Sequence, residues 1–371
     1  MNYHKYFNIV FFTMLTFGVA LNCMADASSD EPFRSVVCPS SDENLRNSEA
    51  DIIELKDGRL LLAWSKFIGR KDHDAAVIAA KFSKDKGRSW GEEFIIQENI
   101  GARNVMSVSF IRLQSGKILF FFFQKNSFTN LNLFVRESVD EAKTWSKPLR
   151  VTKGKGYHIM NNDRVIQLKD GRILAPISYC LDISKNMKEL VGFCYISDDE
   201  GKTWFKGSGK ISFKNSGVME PGLVQRPNGS LLMNIRTSLG LLYKSFSYDR
   251  GNNWTKAIPT KLISPDGPSS TIMVPDSSDI LIVWNNNPLG KKASWGERTP
   301  LTSAISSDDG KSWKNIKNLE GDPNSGFAYT SITLSGDRVL LTYYHWRKGN
   351  PNFALTDLIF RSLPLKWFYE K

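Results

Sequence analysis

One eight-residue pattern, Ser-x-Asp-x-Gly-x-x-Trp, is written five times in this chain, at residues 83–90, 138–145, 197–204, 247–254 and 306–313; only the second copy departs, with Ala142 in the glycine place. The starts lie 55, 59, 50 and 59 residues apart. Residue types explain the pattern as a tight turn. The Ser and Asp side chains can bond their own backbone, and glycine relieves the strained position. The Trp is then expected to fold back as a lid on the apolar underside of the turn. A period near fifty residues with no helical pattern predicts an all-β propeller, one four-stranded antiparallel blade per repeat.

A second repeat interleaves with the first. An apolar-alternating strand, a short turn and a strongly apolar strand recur around Asp57-Gly58, Ser115-Gly116, Asp170-Gly171, Asn228-Gly229, Ser278-Asp279 and Gly336-Asp337. Asp-Gly and Asn-Gly between β-rich runs are strong hairpin signals. Six such hairpins predict six blades. The sixth lacks an Asp turn, so residues 35–39 are expected to supply its last strand and close the ring. In each meander the hairpin turns and the Asp turns share one rim. The segments leading into the first strand and the loops after the second share the other, where chemistry is expected.

A ring of this kind accommodates the whole of residues 26–371 as one domain. The hydrophobic fraction of 41% is ample for its core. The net charge of +11 favours an anionic partner. Lys and Arg are scattered, with no run longer than two, which argues against a nucleic-acid stripe. Residues 1–25 read as a secretory signal, with Lys5 in the n-region and an apolar stretch from Phe7 to Leu21 too short to span a membrane. The expected location is secreted or periplasmic, and a lipid anchor through Cys23 is the alternative. Cys180 and Cys194 flank a short connection, where a bridge and two free thiols remain alternatives. No Cys or His spacing suggests a metal, and no cofactor is implied. A monomer is expected.

The chemistry-bearing residues fall at the expected rim. Leu45-Arg46-Asn47-Ser48 leads into the first blade, and Arg70-Lys71-Asp72-His73-Asp74 forms its loop after the second strand. Asn161-Asn162-Asp163-Arg164 leads into the third blade, and Val218-Met219-Glu220-Pro221 into the fourth, whose second strand ends Asn234-Ile235-Arg236-Thr237. Trp295-Gly296-Glu297-Arg298-Thr299 lies in the fifth, and Phe327-Ala328-Tyr329-Thr330 leads into the sixth. Three guanidiniums can jointly clamp a substrate carboxylate, each charge-assisted contact contributing about 1.5–3 kcal/mol. A carboxylate on the anomeric carbon would repel an Asp or Glu nucleophile. A phenol is neutral until a nearby base takes its proton, so Tyr329 beside Glu220 suits that task. Three neighbouring arginines are expected to favour the phenolate. Asp72 could protonate the leaving oxygen and later activate water.

These motifs resemble the sialidase (neuraminidase) superfamily, in particular its secreted bacterial members with Asp-box repeats, over nearly all of the chain after the leader. The resemblance implies an exo-acting, retaining glycosidase that removes terminal sialic acid or a related carboxylate-bearing sugar from glycans. It further implies Arg46, Arg236 and Arg298 as the carboxylate clamp, Tyr329 as nucleophile, Glu220 as its base and Asp72 as acid/base. His73, Asp74, Asn162, Asp163 and Arg164 are further rim candidates. Two departures stand out. The family's Phe-Arg-Ile-Pro lead-in is here Leu45-Arg46-Asn47-Ser48, and Asp74 rivals Asp72 across His73. Two other functions stay open: a hydrolase or lyase for another acidic glycan, and a glycan-binding propeller without catalysis.

Overall fold

The computed structural model describes Met1 and residues 31–293, 297–348 and 355–370; the expected leader and Cys23 lie outside the described residues apart from Met1. From Pro32 onward the chain is one compact unit built of antiparallel four-strand runs. The first sheet takes Arg46–Glu54, Leu60–Phe67, Ala76–Ser83 and Phe94–Gln97 in sequence order. Two further runs of the same kind hold Met219–Gln225 through Ile258–Ile263 and Ser270–Met273 through Lys314–Glu320. Between the first and these lies a nine-stranded sheet. Within it, Asn104–Arg112, Ile118–Ser127, Asn130–Ser138 and Leu149–Arg150 form one meander, and Ile166–Gln167, Ile173–Cys180, Val191–Ser197 and Phe205–Lys206 another. The extra strand Gly156–Ile159 joins them, parallel to Asn130–Ser138 and antiparallel to Ile173–Cys180. The last sheet holds Ser325–Ser335, Arg338–Arg347 and Asp357–Pro364, and its fourth strand is Phe33–Cys38 from the other end of the chain.

Hydrogen bonds from first or second strands, or the residues beside them, pass from each meander to the next. Asp51 Oδ2 accepts from Phe110 N at 2.7 Å, Val108 O from Asp163 N at 3.0 Å and Ser178 Oγ from Glu220 N at 3.0 Å. Asn234 Nδ2 then donates to Thr271 Oγ1 at 3.3 Å, Ser270 Oγ to Thr330 O at 2.5 Å, and Thr333 Oγ1 to Ile52 O at 3.0 Å. The last of these returns to the first sheet. Strands between two such neighbours are buried on both faces, which explains the run Phe120-Phe121-Phe122-Phe123. Phe120 and Phe122 pack towards Ile53 and Leu61 on one side, Phe121 and Phe123 towards Phe193 and Trp204 on the other.

All five Asp turns adopt one geometry. The Ser hydroxyl accepts from the backbone N–H four residues on (Gly87, Ala142, Gly201, Gly251, Gly310), and the Asp carboxylate accepts from the N–H four residues beyond itself. Each glycine has φ between 71° and 89°, and Ala142 follows at 62°. Close approach reinforces the choice of glycine: a Cβ on Gly87 would stand 2.3 Å from the Phe360 ring. The Trp residues do more than cover their own turns. Trp90 meets Phe360 of the last sheet at 5.3 Å, and Trp204 meets Phe121 of the preceding meander at 5.8 Å, so these indoles wedge between neighbouring meanders. Trp204 is 3% exposed and donates to Gly201 O at 2.9 Å. Trp204→Ala should therefore cost about 3–5 kcal/mol in urea unfolding. Because this rim carries none of the candidate site, turnover per folded molecule should be unchanged; normal stability with lost turnover would contradict the assignment.

Both cysteines of the open pair are free and buried. Register explains it, since Cys194 sits opposite Pro176 rather than Cys180.

Candidate active site

The first strands share an irregularity that builds the site. Pairing slips between Ser48 and Asp51, Met106 and Ser109, Met219 and Gly222, and Ala328 and Ser331. At each slip one non-glycine residue takes a left-handed conformation: Glu49 (φ 54°), Ser107 (57°), Glu220 (43°) and Tyr329 (58°). Asp163 (55°) does the same just before the third meander. Such a residue costs about 1–3 kcal/mol of strain, a cost met at positions that re-aim a side chain. Here the four slipped residues turn onto one cavity of about 280 Å³, which all four line.

Tyr329 donates its hydroxyl to Glu220 Oε1 at 3.0 Å. The other Glu220 oxygen accepts from Arg236 Nη1 at 2.6 Å, and Arg236 Nε donates to Asp266 Oδ1 at 2.7 Å. Arg298 is fully buried behind this group, with its guanidinium 5.5 Å from the Tyr329 ring. It donates from Nη1 to Tyr344 Oη and from Nη2 to Asp266 O, each at 3.1 Å. The Tyr344 ring stacks on Tyr329 at 5.1 Å. Burial holds the Tyr329 phenol well above the usual tyrosine range, and the Glu220 charge adds to this; Arg236 and Arg298 pull the other way. The expected arginine-favoured phenolate is thus outweighed by burial and the Glu220 charge.

Arg46 stands on the far side of Tyr329. It shares a second lobe of about 190 Å³ with Asp72, Tyr329, Tyr344 and Trp346, and Asp72 and Tyr329 border both lobes. Arg46 Nη1 pairs with Asp72 Oδ1, and its guanidinium lies 4.6 Å above the Phe67 ring. The Arg46 charge holds the Asp72 carboxyl down to about 2 against the effect of burial. The backbone of the Asp72 loop is fixed from below: Asn104 Nδ2 donates to Asp72 O at 2.9 Å and Lys125 Nζ at 2.8 Å. Burial brings that Lys125 amine down to about 8.

Of the rivals in the same loop, Asp74 is turned inward, accepting from Lys71 N at 2.7 Å, and His73 packs its ring on Phe128 at 3.8 Å. Neither lines the two lobes. The third lead-in also differs from its expected place on the rim. Asn162 is fully buried and donates to Ala50 O at 2.7 Å and Tyr329 O at 2.9 Å. Asp163 accepts from Ile332 N at 2.7 Å, and Arg164 donates to Ser269 O at 2.7 Å and Ser270 Oγ at 3.1 Å. These three residues tie distant first strands together beneath the site. The reason is chemical: the slipped strands leave backbone groups unpaired, and amide, carboxylate and guanidinium side chains satisfy them.

Sequence reasoning missed Glu49, Ser107, Asp266, Lys125 and Tyr344. A spacing could have found two of them. Glu49, Ser107 and Glu220 each stand nine residues before a turn glycine, at positions 58, 116 and 229. Asp266 could have been found by applying the lead-in rule to the fifth repeat. Lys125 and Tyr344 carry no such mark.

The fold and the site together define an all-β scaffold of repeated Asp turns that presents an acid-, arginine- and tyrosine-lined cavity at one rim. Residues 58–345 match the BNR repeat-like domain family. The chain belongs to that family and, with it, to the sialidase superfamily. It is 24% identical to a sialidase of Bacteroides fragilis over 61% of its own length and 41% of that protein's, so it spans well under half of that relative. It is 24% identical to a sialidase of Paraclostridium sordellii over 89% of each chain. Among solved structures, the Hadza microbial sialidase superposes with a TM-score of 0.72 at 18% identity, covering 90% of this chain and 69% of that one, a likeness of fold alone.

Proposed function

We propose that this protein is a six-bladed β-propeller and a retaining exo-α-sialidase-type glycoside hydrolase acting on sialylated or related acidic glycans. The six-blade reading is supported by the cycle of hydrogen bonds from meander to meander and by Phe33–Cys38 completing the last meander. One observation carries the functional reading: the Tyr329 hydroxyl is bonded to Glu220, which is itself bonded to Arg236, in a cavity that also holds Asp72.

In this reading the substrate carboxylate is held by Arg46, Arg236 and Arg298. The clamp places the anomeric carbon against Tyr329 Oη. As the glycosidic bond breaks, its electron pair leaves with the oxygen, which takes a proton from Asp72. Tyr329 bonds to the carbon while Glu220 accepts the phenolic proton. Water then opens the glycosyl-tyrosine, with Asp72 as base and the Tyr329 oxygen regaining its proton from Glu220.

The test is a panel of chromogenic α-ketosides of N-acetylneuraminic acid and other nonulosonic acids, followed by NMR of the first-formed sugar. Release with retained configuration is expected. Tight glycan binding without release would point to a binding propeller. A product absorbing in the ultraviolet would mark a lyase, and either outcome overturns the proposal.

A further inference from the structure

Arg46 serves two acids. Its Nη1 is on Asp72, while its Nη2 lies 3.6 Å from Glu49 Oε1. The other Glu49 oxygen accepts from Ser107 Oγ at 2.5 Å. Glu49 is 4% exposed and lines the same cavity as Asp72. This arrangement sets a problem for the proposed reaction. Asp72 must reach the glycosidic oxygen carrying a proton, yet a carboxylate gripped by a guanidinium has none to give. Arg46 must also exchange Asp72 for the substrate's carboxylate.

We propose that Glu49 is a positioning residue that stores the proton for Asp72, holding it while Arg46 grips Asp72 and yielding it when a substrate carboxylate takes Arg46. The inference rests on the glycosidase reading above. In the exchange the Glu49 O–H bond breaks and an Asp72 O–H bond forms, relayed by solvent in the cavity that both line. Charge moves from one carboxyl to the other with no net change, and the new Glu49 carboxylate remains beside Arg46 Nη2. Asp72 then protonates the departing oxygen. In the second half-reaction Asp72 gains a proton from the attacking water and returns it to Glu49 once the product carboxylate releases Arg46.

The groups facing Glu49 fit this role. Arg46 comes from its own strand, Asp72 from the loop over residues 68–75, Lys125 and Tyr157 from the second meander and the joining strand, Glu220 from the strand Met219–Gln225 and Tyr344 from the last sheet. Burial raises the Glu49 carboxyl to about 7; Arg46 and Ser107 pull it down, and Asp72 and Glu220 push it up. The store is therefore full on the acid side of neutrality and empties above it.

The experiment compares pH profiles of kcat/KM for a sugar-linked sialoside and an aryl sialoside. The first needs leaving-group protonation and the second hardly does. Positioned general acids contribute about 10²–10⁴-fold. Glu49→Gln, which cannot release its proton, should lose at least about tenfold more activity on the sugar-linked substrate than on the aryl one. Ser107→Ala removes a donor that favours the carboxylate, so the basic limb for the sugar-linked substrate should move to higher pH. If Glu49→Gln does not fold, the direction of the Ser107→Ala shift decides. Equal losses on both substrates with unmoved profiles would overturn the inference and leave the glycosidase reading intact. A wild-type protein that turns over neither substrate would overturn both.

Discussion

Tyr329→Phe should leave a folded protein that still binds the sugar but turns it over about 10³-fold more slowly or worse, the scale seen when one member of a nucleophile–base unit is removed. The substitution deletes one oxygen from a ring held by stacking on Tyr344 and by the Arg298 guanidinium, so the packing survives. Glu220 loses a donor but keeps Arg236. In the proposed mechanism the phenol has no substitute: Glu220 itself is engaged by Arg236, and a free carboxylate would meet a clamped substrate carboxylate with like charge. Binding by calorimetry and turnover on an aryl ketoside separate the two effects. Mass spectrometry after reaction with a slow, fluorinated substrate locates the covalent bond in the wild type. A label on Asp72 or Asp74, or an inverted first product, would sink the tyrosine mechanism.

Arg164→Met should be among the most destabilising single changes, costing about 3–5 kcal/mol near neutral pH, as when one partner of a buried charge set is removed. Arg164 is 2% exposed, and its neighbours Asp51 and Asp163 are both raised by burial, with Asp163 adding to the rise at Asp51. Arg164 offsets that rise in each. Without it, the folded protein holds the shared protons more tightly still, while the unfolded chain gives them up at ordinary carboxylate values. A folded pKa above the unfolded one means stability is lost as pH rises. The deficit should thus be larger at about pH 8 than at about pH 5 in urea unfolding. A loss below about 1 kcal/mol, or one that shrinks as pH rises, would show that Arg164 does not compensate these acids.

Much of this architecture could be read from the chain because its turns are written in side chains with local jobs. Ser and Asp of the Asp turns bond to backbone within four residues, so their pattern survives without knowledge of the rest of the fold. Tyr329, Glu220 and Asp72 were readable for a different reason: each sits in a lead-in or loop whose rim follows from strand alternation. Glu49 is marked only by its nine-residue distance from Gly58, because its place at the cavity depends on a backbone slip that reverses the direction of one side chain, and residue type alone does not announce a slip. Asn162 and Arg164 misled for the same reason in reverse. Polar residues at a lead-in suggest a surface, yet their partners are carbonyls more than a hundred residues away, Ala50 and Ser269.

The left-handed slips also bear on how such a protein can change. Four of the first strands each set aside one residue that leaves the pleat and faces the cavity, while the paired residues before and after the slip keep their places in the sheet. One backbone path thereby carries different chemistries: acid, hydroxyl and phenol occupy it at Glu49, Ser107, Glu220 and Tyr329. New chemistry can be written one letter at a time at these four positions, with the scaffold acting as a rack of sockets that admits most side chains and disfavours β-branched ones, for which the left-handed backbone is most strained.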